Sequence, residues 1–235
     1  CFIQSVKDSI ASLCQLQTND TMLFRNGSGT GTNFSTLREL AAPLSNGGSS
    51  SGPVSFVKGF DTWAGITKSA GKTRRAAKMV ILNVDHPDIE DFIKSKVTVE
   101  KMARDLIKMG WPADYNSETY SFLPYQNANH SVRVTDDFMK AVEQDKNFDL
   151  INFKKVKVKE LSAKNLFRTI AEAAHLCADP GIQCDTTINS WHTSPNSGRI
   201  NAANPCSEYM FVDDSACNLA SHNLVKYYKD REFNI

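Results

Sequence analysis

The run Met79–Val84 (MVILNV) is apolar at five of six positions and is bounded by turn-forming residues. A run this short is too brief for a core helix, and its length and boundaries suit a strand buried on both faces. Helical patterns lie on either side of it. Pro53 opens one in which Phe56, Val57, Phe60, Trp63, Ala64 and Thr67 recur at i, i+3 and i+4. Pro87 opens a short helix with Ile89, Phe92 and Ile93 turned inward, and residues 97–110 read as a further helix. A buried strand set between amphipathic helices restricts the chain to the α/β class.

The same alternation extends to both ends. Asp8 or Ser9 caps a helix with Ile10, Leu13 and Cys14 on one face, which continues through Met22, Leu23 and Phe24. Ser131–Val134 reads as a strand, Thr135 caps a helix carrying Phe138 and Val142, and Ser162 caps another that ends near Asp179-Pro180-Gly181. Gly27–Thr32 reads as a tight glycine loop and residues 41–52 as a flexible one. Beyond Gly181 the chain reads as loop-rich up to Asn204-Pro205-Cys206, with a strand at 209–212.

Charge excludes some functions. Lys+Arg total 27 and Asp+Glu 26, so the basic excess of a nonspecific nucleic-acid or membrane-surface protein is absent. No apolar run approaches the roughly 18 residues that span a bilayer. The opening CFIQSVKDSI has neither a basic nor an apolar signal region, and there is no initiator Met, so the chain reads as a mature product or a fragment. The six cysteines, Cys1, Cys14, Cys177, Cys184, Cys206 and Cys217, form no CxxC. They read as reduced, mostly buried thiols of a cytoplasmic protein. The five histidines have no paired ligand spacing, so no metal site is expected.

Two nucleotide-binding patterns fail on inspection. Ser69-Ala70-Gly71-Lys72-Thr73 ends like a P-loop, but Ile66 stands where glycine is required and a helix precedes it. Gly27-Ser28-Gly29-Thr30-Gly31 has the wrong spacing for a dinucleotide fingerprint. Both segments still suit close approach to an anion, and Lys68, Lys72, Arg74 and Arg75 put four cations within eight residues; a solvated basic turn is the competing reading. In Asn204-Pro205-Cys206-Ser207-Glu208, an extended backbone would turn Asn204, Cys206 and Glu208 to one face, placing an amide, a thiol and a carboxylate together. A structural thiol is the alternative.

Seven segments, CFIQSVKDSI, GSGTGTNFSTLR, SSGPVSFVKGFD, KTRRAAKM, DHPDIEDFI, NHSVRVTDDFM and NSGRINAANPCSEYMFVDDSACNLAS, together resemble the catalytic subunit of ribonucleotide reductase, most closely the adenosylcobalamin (vitamin B12)-dependent class. They run in the family's order across nearly the whole chain. The resemblance implies that Cys206 forms a transient thiyl radical that takes the 3′ hydrogen of a ribonucleotide. Glu208 would then take the 3′-hydroxyl proton, Asn204 would bind the ribose hydroxyls, and Cys1 and Cys217 would be the redox pair that ends as a disulfide. Cys14, Cys177 and Cys184 match no family role and read as structural.

The resemblance also implies a deoxynucleotide effector site within about residues 8–75. Asp8 would hold the effector ribose and Arg38 its phosphate. Arg25 stands where lysine is expected and keeps the charge. The loop after Arg38, and the loop with Lys68, Lys72, Arg74 and Arg75, would carry effector identity to the substrate. The implied fold is a ten-stranded α/β barrel of two five-stranded halves, with the radical cysteine on a finger loop inside it. Residues 1–235 would be the first half plus that loop, about 195–217. Expected partners are a ribonucleotide, a deoxynucleotide effector, a second copy in a homodimer and a thioredoxin- or glutaredoxin-type reductant, with no nucleic acid or membrane. The isolated segment is expected to be inactive. The alternatives are a non-catalytic effector-binding module or, within the family, the iron- or manganese-dependent and glycyl-radical classes.

Overall fold

A computed structural model describes residues 1–67 and 76–233. Its strands in chain order are β1 (Phe2–Ile3), β2 (Gly29–Asn33), β3 (Ala77–Asn83), β4 (Ala128–Val134), β5 (Asn147–Ile151), β6 (Lys157–Ser162), β7 (Gly181–Cys184), β8 (Ile200–Ala203), β9 (Met210–Val212), β10 (Ser215–Ala216), β11 (Tyr228–Lys229) and β12 (Glu232–Phe233). The helices are α1 (Ile10–Arg25), α2 (Gly52–Ile66), α3 (Ile89–Lys108), α4 (Glu118–Ser121), α5 (Asp136–Glu143), α6 (Ala163–Cys177) and α7 (Asp185–Ser190). The main sheet has the order β10-β1-β2-β3-β4-β7. Its five central and far strands are parallel, and β10 lies antiparallel against β1. The sheet is open, with no barrel closure among the described residues. No described helix is long and apolar enough to cross a membrane.

The two faces of the sheet differ because side chains alternate along each strand. One face presents Val80, Leu82, Val132 and Val134 to helix residues such as Phe92, Phe138, Leu166 and Ile170, all buried in one core. Val80, Ile81 and Leu82 are wholly buried, and each such side chain stabilises the fold by about 1.5–3 kcal/mol. The other face is small or polar apart from Met79 and Ile81 of β3. It carries Gly29, Gly31 and Asn33 on β2, Asn129, Ser131 and Arg133 on β4, and Gln183 on β7. A second, smaller core of Ile3, Met79, Ile81, Ala202 and Ala203 seats the β8–β9 hairpin there.

A buried ion pair fastens α1 beneath β2 and β3. Lys78 Nζ lies 2.7 Å from Asp20 Oδ2, and both side chains are at most 1% exposed. Lys78 also donates to the hydroxyls of Thr30 and Thr32, while Gln4 and Thr30 donate to Asp20. Burial pushes the Lys78 pKa down, and the Asp20 carboxylate opposes that shift.

Several expectations are corrected. Gly27–Thr32 is mostly not a loop, because Gly29–Asn33 is a buried strand. Of the two cap candidates Asp8 and Ser9, it is Ser9 that caps α1, accepting from the Ser12 amide. Ile10 and Cys14 are exposed, and Leu13, Leu16, Asp20 and Phe24 form the inner face. The two helices expected across 87–110 are one helix, α3; the positions between them, such as Lys94 and Lys96, have helix-compatible side chains and nothing interrupts the backbone. The stretch after Gly181 contains β7, α7 and β8, whose short runs offer too little periodicity to see. The β5–β6 hairpin was also not expected. The thiols are not mostly buried: Cys14, Cys184 and Cys206 are exposed, and Cys1, Cys177 and Cys217 are partly so. Cys14 and Cys184 therefore fill no core here.

Candidate active site

β8 crosses the small-residue face of β2 in the opposite direction. Asn33 Nδ2 donates to the Asn201 carbonyl at 2.8 Å, at the carboxyl end of β2. A Cβ on Gly31 would stand 1.7 Å from the Ala203 carbonyl oxygen, and one on Gly29 would stand 2.6 Å from Pro205 Cγ. The glycines thus admit the chain's own backbone and a proline ring, where the sequence pattern suggested an anion. β8 delivers Cys206 to the amino-terminal edge of the parallel strands.

There the chain turns. The Ser207 amide donates to the Asn204 carbonyl, and the Asn204 and Tyr209 backbones pair across the turn. Ser207 adopts φ 61°, a left-handed conformation that costs a non-glycine residue about 1–2 kcal/mol. Residues 204–208 are therefore a turn and not an extended strand, which removes the shared-face argument for Asn204, Cys206 and Glu208. Asn204 is buried, and its Oδ1 accepts from the Tyr209 amide at 3.0 Å. Its Nδ2 is a buried donor with no partner. Cys206 and Glu208 are exposed.

Cys1 and Cys217 come together despite their separation in sequence. Phe2 pairs with Ala216 and Ile3 with Ser215; the Cys217 amide donates to the Cys1 carbonyl at 3.0 Å. Residues facing each other in a hydrogen-bonded antiparallel pair have Cα atoms about 5.5 Å apart, within the range a disulfide spans. Phe2 also pairs with Thr30. One residue earlier, Cys1 is level with Gly29, on which Pro205 rests. Cys1, Cys217 and Cys206 thus share one edge of the sheet.

A family model described as "Ribonucleotide reductase, barrel domain" matches residues 1–235. The chain belongs to the ribonucleotide reductase family. It is 55% identical over 231 residues to a protein of Streptomyces avermitilis named vitamin B12-dependent ribonucleotide reductase, covering 98% of this chain and 24% of that protein. A Rhodopirellula baltica protein of the same name is 53% identical over 97% of this chain and 22% of its own length. A Mycobacterium tuberculosis protein named vitamin B12-dependent ribonucleoside-diphosphate reductase is 38% identical over 98% of this chain and 30% of its own. This reductase segment therefore spans about a quarter of the length of the curated relatives it matches.

Of the expected effector residues, two meet. Arg38 Nε lies 2.7 Å from Asp8 Oδ2, and the Arg38 amide donates to Asp8 Oδ1. The Arg38 guanidinium also lies over the Phe153 ring, 5.1 Å from its centroid. Arg25 is exposed at the far end of α1. A 16-residue helix is about 24 Å long, so Arg25 and Asp8 of one chain cannot grip one small ligand. Lys68, Lys72, Arg74 and Arg75 lie outside the described residues.

At the opposite, carboxyl end of the strands lies a polar cavity of about 150 Å³, lined by Asn33, Asn83, Asp85, Arg133, Asp185 and Asn201 among others. Arg133 is buried and lies 2.5 Å from Asp185 Oδ1; Arg199 also pairs with Asp185. Burial lowers the Arg133 pKa against the pull of Asp185, and burial raises those of Asp85 and Asp213. No group of three or more His, Cys, Asp or Glu residues that could hold a metal ion occurs among the described residues. Asn129, Gln183 and the two cradle glycines were missed by sequence reasoning. The alternation of glycine and threonine in GTGT is the signal that could have revealed the last: small residues at every second position mark a strand under another backbone.

Proposed function

We propose that this segment is the first half of the catalytic barrel, with its finger loop, of an adenosylcobalamin-dependent enzyme that reduces ribonucleotides to 2′-deoxyribonucleotides. The observation that carries this reading is the gathering of Cys206, Cys1 and Cys217 at one edge of the sheet. Cys206, as a thiyl radical, takes the 3′ hydrogen atom of the ribose and later returns it. Glu208, exposed two residues further along the chain, takes the 3′-hydroxyl proton. The partnerless Nδ2 of Asn204 is a ready donor to a ribose hydroxyl. The 2′ hydroxyl leaves as water with a proton from one thiol of the Cys1–Cys217 pair, which supplies two electrons and closes to a disulfide. A thioredoxin- or glutaredoxin-type protein then restores the thiols.

The residues here fit the cofactor at one point, the exposed Cys206, which can present its S–H bond to a radical source. Adenosylcobalamin, when bound, supplies radical chemistry.

The Asp8–Arg38 pair forms part of an effector site for a deoxynucleotide. Arg25 reaches such a ligand when a second copy lays its α1 antiparallel to the first, which supports a homodimer. The exposed Ile10, Met22 and Ile66 on α1 and α2 suit that packing. The test is Cys206→Ser in the full-length protein, assayed with adenosylcobalamin, a ribonucleotide and dithiothreitol. Turnover should fall to background while deoxynucleotide binding persists; retained turnover overturns the reading. The isolated segment should show no turnover in the same assay.

A further inference from the structure

The turn that carries Cys206 is held from both sides by side chains of the sheet beneath it. On one side, Asn129 Nδ2 of β4 donates to the Pro205 carbonyl at 2.8 Å. On the other, Gln183 Nε2 of β7 lies 3.2 Å from Ser207 Oγ and donates to it. Gln183 is buried, and its opposite end is also fixed, because its Oε1 accepts from Arg133 Nη1 at 3.1 Å. Arg133 in turn donates to the Ile200 carbonyl at 2.6 Å, at the start of β8. Asn189 secures the same residue through its backbone amide and carbonyl. The chain of contacts Asp185–Arg133–Gln183–Ser207 therefore begins at the root of the hairpin and ends one residue past the thiol.

Two features make this more than packing. Ser207 sits at φ 61°, a conformation that persists only where its surroundings impose it. A buried glutamine bonded at both ends has one usable rotamer, so it transmits position rather than merely filling space.

We propose that Gln183 and Asn129 are positioning residues that fix the Cys206 thiol for hydrogen-atom transfer. This rests on the assignment of Cys206 as the radical-bearing cysteine. Neither side chain needs to touch the substrate. They act through Ser207 and Pro205, and displacement of a reacting group by about 1 Å costs about a hundredfold in rate.

The test is a double-mutant cycle in the full-length enzyme with Gln183→Leu, Ser207→Ala and the combination, alongside Asn129→Ala and Gln183→Glu. Gln183→Leu and Ser207→Ala should each lower kcat by about tenfold or more, with KM within about twofold. The combination should be no worse than Gln183→Leu alone by more than about threefold, since Ser207→Ala removes a bond that Gln183→Leu has already broken. Gln183→Glu should recover most of kcat, because its carboxylate accepts from Arg133 and from the Ser207 hydroxyl. The rate at which iodoacetamide modifies Cys206, followed by peptide mass spectrometry, should change in Gln183→Leu and return in Gln183→Glu. Asn129→Ala removes only the contact to Pro205 and keeps the idea testable should Gln183→Leu fail to fold; unchanged kcat in Asn129→Ala and Ser207→Ala would then overturn it. Losses that multiply in the double variant, or an unaltered kcat in folded Gln183→Leu, also overturn it. A Cys206→Ser enzyme that still turns over refutes instead the assignment on which the proposal rests.

Discussion

Replacing Gly31 by alanine probes the seat of the β8–β9 hairpin. The new Cβ would stand 1.7 Å from the Ala203 carbonyl oxygen and 2.9 Å from its carbon. Carbon–oxygen contacts settle near about 3.3 Å, so β8 must rise by about 1.5 Å. Movement sideways is closed by Met79 Cβ, 3.3 Å from the same point. Asn204 follows Ala203 directly, and Cys206 lies two residues further on, so the shift passes into the turn. In the full-length enzyme kcat should fall at least about a hundredfold. Overpacking of this kind costs about 1–3 kcal/mol, or about 2–4 °C in Tm for each kcal/mol in a domain of this size. The protein therefore stays folded while it loses activity. Steady-state kinetics and a thermal melt measure both quantities. Gly59→Ala is the control, because a Cβ at Gly59 meets nothing within 4 Å; it should keep kcat and gain up to about 1 kcal/mol as a helix-interior alanine. A Gly31→Ala enzyme with kcat within about threefold of the parent would refute the packing of β8 on β2.

Lys78→Met should destabilise the protein by about 3–5 kcal/mol, since it leaves Asp20 buried without its cation; the double variant Lys78→Met, Asp20→Leu should recover much of that loss in urea unfolding. A single turnover without added reductant should leave one disulfide joining Cys1 and Cys217, read from cross-linked peptides; a bridge to Cys206 instead would count against the assignment. Burial holds His130 well below the ordinary histidine value of 6.5, and the ring stacks on Phe92. Between its folded pKa and 6.5 the unfolded chain binds the proton and the folded one does not, so stability is full above 6.5 and declines as pH falls below it. Melts at successive pH values should show that decline flattened in His130→Leu.

Helices α2, α5 and α6 and strand β3 were legible because their apolar pattern matches what the fold buries. Val57, Phe60 and Ala64 face the core as their spacing implies, and Thr135 and Ser162 cap as read. β2 was illegible for a physical reason: its strand character comes from close backbone contact above and a buried lysine below, and neither leaves an apolar mark. β7 and β8, at four residues each, are too short to show a period. At the site, the residue types of Asn204, Cys206 and Glu208 could be read, but their turn could not, because Ser207 carries no sign of its positive φ. The meeting of Asp8 with Arg38 depends on β1 pairing with β2, and that of Cys1 with Cys217 on β1 pairing with β10, both facts of topology.

If Cys1 and Cys217 are the redox pair proposed above, the pairing of β1 with β10 would also couple chemistry to endurance. A bridge between Cys1 and Cys217 would tie the two ends of a loop of more than two hundred residues, and loop closure on that scale is worth up to about 5 kcal/mol by chain entropy. The oxidised molecule, waiting for its reductant, would be the form slower to unravel and harder for proteases to open. With the thiols reduced, β10 is held on β1 by a ladder of two residue pairs and by the neighbouring Cys217–Cys1 and Ser5–Asp214 hydrogen bonds. On that assignment, each catalytic cycle would alternate between an edge fastened covalently and one held by hydrogen bonds alone.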